Sequence, residues 1–234
     1  MKQFGKIFTV FLMIGLMAGS LSALSIRVLP GGIPIGSADQ MIAEGTRLGS
    51  TQLLRQAWDA YEKAVKMDPK MLNGYLQLGR IYFQLSLLHA ANADDFNKAK
   101  SYIDKAMAMA PDNQDVHHTM GMVLSGKGEY LDALDELKLA LSFNPGNEYV
   151  ICDLASIHLA LRQPDKTIHM LEGKSLKNGW SYFVLAMAWL QKQQKGHALL
   201  NLKKAEKIGF SGYWLDLAMD AVKRDISVSI PFMK

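Results

Sequence analysis

The chain is short of almost everything that would furnish a metal centre or a catalytic interior. Among its 234 residues there is a single cysteine, Cys152, which excludes an internal disulfide and any multi-cysteine metal site. No HExxH, GxSxG, GxGxxG or phosphate-loop pattern occurs, so an enzymatic reading has no motif to stand on and no cofactor is implied. The six histidines are His89, His117, His118, His158, His169 and His197. His117 and His118 are adjacent and diverge by about 100° on a helix, so they cannot easily grip one ion. His158 stands six residues from Cys152, which is not a helical neighbour spacing. His117 and His158 are expected to pack in the core, and Cys152 to be half-buried. Basic runs are equally scarce: no stretch of lysine or arginine exceeds two residues. The formal charge of +4 includes Lys2 and Lys6, and beyond residue 23 there are 24 bases against 22 acids. That balance supplies no basic stripe and argues against a nucleic-acid partner.

What the chain does contain is a period. Gly45 and Gly79 lie 34 residues apart, as do Gly121 and Ala155, and Pro111 and Pro145. The stretch from Gln114 to Asn147 shows the unit most clearly. Its first helical pattern carries Met120, Gly121 and Leu124; its second carries Ala133, Leu137 and Ala140 and stops at Pro145. Small residues at Gly121, Ala133 and Ala140 let two antiparallel helices approach closely, and proline cannot continue a helix. One such pair buries little by itself and needs neighbours to stack upon. An earlier unit repeats the arrangement with Gly45, Ala57, Ala64 and Pro69.

A 34-residue helix–turn–helix period with small residues at these places and a terminal proline resembles the tetratricopeptide repeat family, over roughly residues 38–212. The resemblance implies an all-α fold, a right-handed α-solenoid of about five helical hairpins. The units run about 38–71, 72–113, 114–147, 148–178 and 179–212, with a capping helix at 213–224 and a tail at 225–234. The second unit is eight residues long against its neighbours, placing an insertion at Leu85–Asn97. A lengthened first helix and a longer turn near Asn92–Asp95 are expected there. The fourth is about three residues short. Tyr61, Tyr75, Tyr82 and Trp189 match inter-helix packing positions, whereas Trp58 points off the contact face.

Residues 1–23 have the layout of a secretory signal peptide: Lys2 and Lys6, an apolar run from Ile7, then small residues from Ala18 to Ala23. The rival reading is an uncleaved anchor, with membrane contact only through residues 7–23. In a bacterial cell both place the repeats outside the cytoplasm, periplasmic or secreted in the first case and anchored to the inner membrane in the second. Residues 24–37 read as an extended linker with two prolines and three glycines, and Ser37 or Asp39 is expected to cap the first helix.

In the family, the first helix of each hairpin lines a concave groove. Carried over position by position, the partner-binding residues are Asn73, Gln77, Arg80 and Phe83 of the second unit and His118, Thr119 and Met122 of the third. Asp153 and Ser156 come from the fourth unit, and Trp180, Phe183, Met187 and Leu190 from the fifth. Arg80 is the sole cation in that lining, so a clamp for chaperone tails is not expected. The apolar end could take a helix or an extended peptide, or already be filled by the final helix or tail. The resemblance implies an exported, non-enzymatic scaffold that binds envelope proteins or peptides, with self-association as one option. The alternative is a ligand-binding accessory subunit of a transporter.

Overall fold

In a computed structural model, residues 28–29 and 33–224 are described; the expectations for residues 1–23 and 225–234 lie outside them. The described chain is an all-α solenoid of eleven helices. A two-residue antiparallel ladder, β1 (Val28–Leu29) and β2 (Ile33–Pro34), precedes it. The helices are α1 (Ile35–Leu48), α2 (Thr51–Met67), α3 (Leu72–Leu87), α4 (Ala93–Met109), α5 (Gln114–Lys127) and α6 (Tyr130–Phe143). They continue as α7 (Glu148–Ala160), α8 (Pro164–Leu171), α9 (Gly179–Gln191), α10 (Lys195–Lys207) and α11 (Tyr213–Arg224). Ser37 and Asp39 lie inside α1 rather than capping it. Asp39 instead accepts a 2.6 Å hydrogen bond from the Tyr61 hydroxyl, tying α1 to α2.

Local chemistry explains the boundaries. Pro69, Pro111 and Pro145 each fall two residues beyond the last residue of α2, α4 and α6, where the missing N–H costs nothing. Asn113, Asn147 and Asn178 accept from the first free backbone N–H groups of α5, α7 and α9. Within each hairpin the chain turns through a left-handed residue: Gly49, His89, Gly128, Arg162 and Gln193.

Gly121 illustrates why the hairpins are close-packed. A Cβ there would lie 2.7 Å from Leu137 Cγ, and Leu137, Ala133 and Ala140 are fully buried. The added length of the 72–113 hairpin is shared between its two helices, 16 residues in α3 and 17 in α4, against 14 in each of α5 and α6. The turn occupies 88–92, earlier than expected, because Asn92 and Asp95 form a reciprocal capping box that starts α4. Arg55 of α2 grips Asp95 through two 2.7 Å contacts and donates to the Ala90 carbonyl, fixing that turn. Trp58 is buried, its ring 6.2 Å from that of Tyr102 on α4. Tyr61, Tyr75 and Tyr82 are buried; Trp189 is only half-buried.

Two hydrophobic cores run along the array. The first spans α1 to α7 and includes Val150, Leu154 and Ile157 from one side of α7. The second takes Cys152, Ala155 and Leu159 from the other side and continues to α11. Phe83 and Leu87, near the end of the long α3, also belong to the second core. The added length of α3 therefore bridges the inside of the curve. α3 and α5 pack along their length, whereas α5 and α7 barely touch, so the array bends between them. Glu148 steadies the far side of the bend: its carboxylate accepts from the Lys177 and Asn178 N–H groups and the Ser181 hydroxyl at the start of α9.

The bend brings the two ends together. The chain between α10 and α11 packs against the end of α1. Gly212, at φ +100°, has no room for a side chain because the Arg47 carbonyl stands where a Cβ would be. On the other side of the seam, the Tyr213 ring closes over Gly49. The solenoid is thus a closed ring of hairpins rather than an open trough.

Candidate functional site

The ring encloses a cavity of about 500 Å³ on its concave side. The first three hairpins supply a largely polar wall. Thr46 and Arg47 come from the last turn of α1, Arg80 and Gln84 from α3, and Asp115 and His118 from α5. Phe83 and Met122 break that wall with apolar surface. The opposite wall is aromatic: Tyr149, Trp180, Phe210, Tyr213 and Trp214. Trp180 stacks on Phe183 at 5.0 Å between ring centres, and Phe210 lies 5.5 Å from Phe183, so the aromatic wall is backed by a second layer.

The charges across this surface are mostly paired. His118 Nε2 donates to Asp153 Oδ2 at 2.7 Å, joining α5 to α7 where the helices splay. Arg47 donates to both carboxylate oxygens of Glu44 one turn away, and that contact holds the Glu44 carboxyl below its usual value. Asp115 sits in the first turn of α5, where the helix dipole favours a negative charge. Arg80 is half-buried and makes no hydrogen bond or ion pair among the described residues.

Six of the thirteen residues carried over from the groove pattern line this cavity: Arg80, Phe83, His118, Met122, Asp153 and Trp180. Ser156 lines a neighbouring 160 Å³ cleft between α3, α5 and α7, and its hydroxyl donates to the Cys152 carbonyl. Thr119, Phe183 and Met187 are fully buried and stand behind the wall rather than on it. Thr119 donates to the Asp115 carbonyl, while Phe183 and Met187 pack in the second core. Gln77 and Leu190 are partly exposed and Asn73 is exposed, all outside the cavity. Cys152 is fully buried, not half-exposed towards the groove, and burial pushes its thiol well above the ordinary range. His117 is also buried, held between Glu136 and the Pro111 carbonyl at 2.8 and 2.6 Å. His158 is half-buried against Gln163. Arg80 is not the sole cation in the lining, because Arg47 joins it from the first helix. Thr46, Arg47, Phe210, Ser211, Tyr213 and Trp214 reach the site only because the ends meet. A repeat-by-repeat reading cannot see that, and the lone sequence signals for it are Gly49 and Gly212, glycines outside the periodic set.

No three histidine, cysteine, aspartate or glutamate side chains group into a metal-sized cluster among the described residues. Nor is any described helix long and apolar enough to cross a membrane.

Comparison with known proteins agrees with this architecture. A tetratricopeptide repeat protein of Parabacteroides merdae superposes with a TM-score of 0.66 at 17% identity, covering 81% of this chain and 71% of that one. A tetratricopeptide repeat protein of Thermus thermophilus superposes with 0.62 at 18% identity, covering 80% and 99%. Both likenesses concern the fold alone. In sequence, the lipopolysaccharide assembly protein B of Escherichia coli K12 is 27% identical over 134 residues. That match covers 54% of this chain and 34% of the relative, so the chain spans about a third of the relative's length. Residues 72–113 match the family model described as tetratricopeptide repeat, and the helices around them share the fold of solved tetratricopeptide repeat proteins.

Proposed function

We propose that this chain is a non-enzymatic adaptor of the cell envelope, which holds a protein or peptide partner against the concave face of its hairpins. Tetratricopeptide hairpins present side chains for recognition and make no bonds themselves. The observation that carries the reading is the two-faced cavity, polar on the α3 and α5 side and aromatic on the α9 to α11 side. Such a surface orients a segment that is itself two-sided. An envelope setting is supported by the signal-like layout of residues 1–23 and by a relative whose name refers to lipopolysaccharide assembly. Crosslinking in the native envelope followed by mass spectrometry tests the reading. Partner peptides should crosslink to the concave side, and the double variant Arg80→Ala, Tyr149→Ala should lose them. Full retention of the same partners by that variant would exclude the concave face as the docking site. Both positions retain solvent contact, so the variant avoids emptying the core as Phe183→Ala would.

A second reading, a ligand-binding accessory subunit of a transporter, is favoured by one feature: the ends meet, so the cavity is bounded on every side of the ring. Its volume is in the range of small-molecule sites. A screen of small ligands by thermal shift separates the two readings. A saturable rise in melting temperature without a protein partner supports the second, and none across the screen contradicts it.

A further inference from the structure

We infer that the enclosed cavity takes an amphiphilic monoanion, a single carboxylate or phosphodiester on an apolar body, with the anion on Arg80. The inference rests on the enclosed-cavity reading above. The wall carries several charges, and Arg80 is its one cation without an ion pair among the described residues. Arg47 is engaged by Glu44. Asp153 is engaged by His118, and both side chains are largely withdrawn from water. Asp115 is exposed at a helix start that favours it. Arg80 alone faces the cavity half-buried and without an ion pair or hydrogen bond among the described residues. A guanidinium offers five donors in a fixed fork and stays charged, so withdrawing it from water is costly until an acceptor arrives. A carboxylate or phosphate oxygen pair fits that fork.

The rest of the lining asks for the other half of the ligand. Phe83, Met122, Phe210 and Trp214 surround the same space and offer apolar surface to an acyl or aryl body. One cation without an ion pair suits one negative charge. A second negative charge would meet Asp115 and the ion-paired Asp153 instead.

The test is titration of the whole folded chain with decanoate and with decanamide, followed by tryptophan fluorescence and calorimetry. The proposal expects saturable binding of decanoate, about ten-fold tighter than decanamide, as for one charge-assisted contact. Arg80→Gln should abolish that preference by weakening decanoate far more than decanamide, and Arg80→Lys should keep most of it. Equal binding of acid and amide, or a preference that survives Arg80→Gln, overturns the monoanion and leaves the enclosed-cavity reading intact. Failure of both probes to bind overturns the two together. Unchanged melting of the three proteins without probe shows that the substitutions act on the site and not on the fold.

Discussion

Gly121 has no side chain because the Leu137 side chain and the Ala133 carbonyl already fill the space where one would sit. Gly121→Val should therefore destabilise by about 1–3 kcal/mol, the usual cost of overpacking, read as a lower urea midpoint. Leu137 is fully buried, so it has nowhere to retreat. Asp95 sets a pH dependence. Its hydrogen bonds to Arg55 hold the carboxyl below the ordinary aspartate value, against the opposing effect of burial. A depressed folded value means that the contribution is complete above the unfolded value and fades as the pH falls through the folded one. The stability gap between the parent and Asp95→Asn should thus be full above about pH 4 and shrink below it. Urea midpoints of both proteins at pH 6 and at pH 3 measure this; a gap that does not change with pH would contradict it. Sequence reading reached residues such as Gly121 because close approach of two helices demands a small residue at a fixed interval. It missed the Arg55–Asp95 pair, because 40 residues separate the partners and neither belongs to the repeat pattern.

The helical hairpins share a device that the sequence conceals. Each turn passes through a left-handed residue, yet only Gly49 and Gly128 are glycine; His89, Arg162 and Gln193 hold φ between 54° and 59°. Replacing exposed Arg162 or Gln193 by glycine should stabilise by roughly 0.5–1 kcal/mol, the left-handed penalty less glycine's extra chain entropy. Thermal melts of the single variants check this, and a loss of stability would mean that the side chain contributes more than its backbone costs. Helix ends were legible where proline marks them, since it acts on the nearest backbone groups. The division of added length between α3 and α4 was not. It depends on where Asn92 and Asp95 meet to start the helix, and an apolar run such as LSLLHAA does not show that. The depth of side chains within a helix was also hidden: Trp180 and Phe183 are three residues apart, yet one lines the cavity and the other stands buried behind it.

At the scale of the molecule, the curvature of the whole array decides what it can hold. The period of 34 residues announces a solenoid, but closure depends on the sum of every inter-hairpin angle, and no local pattern records that sum. Closure makes a groove into a chamber and lends it Arg47, Tyr213 and Trp214 from opposite ends of the chain. The seam rests on backbone contact at Gly212. Gly212→Val should open it, because the Arg47 carbonyl occupies the place of the new side chain and φ +100° disfavours valine. Helical circular dichroism should stay close to that of the parent, since the hairpins remain stacked, while the hydrodynamic radius should rise. A variant with unchanged radius would mean that the seam accommodates the side chain.

Whether the first and last helices meet decides between a closed ring and an open solenoid. Spin labels at Leu48 and Asp216, both exposed, report it through pulsed electron resonance. A closed ring predicts one narrow distance distribution at the short end of the measurable range, as for labels on elements in contact, about 10 Å apart between helix axes. It also predicts broadening and lengthening in Gly212→Val. A long distance in the parent protein, unaffected by that substitution, would show an open solenoid and contradict the enclosed cavity.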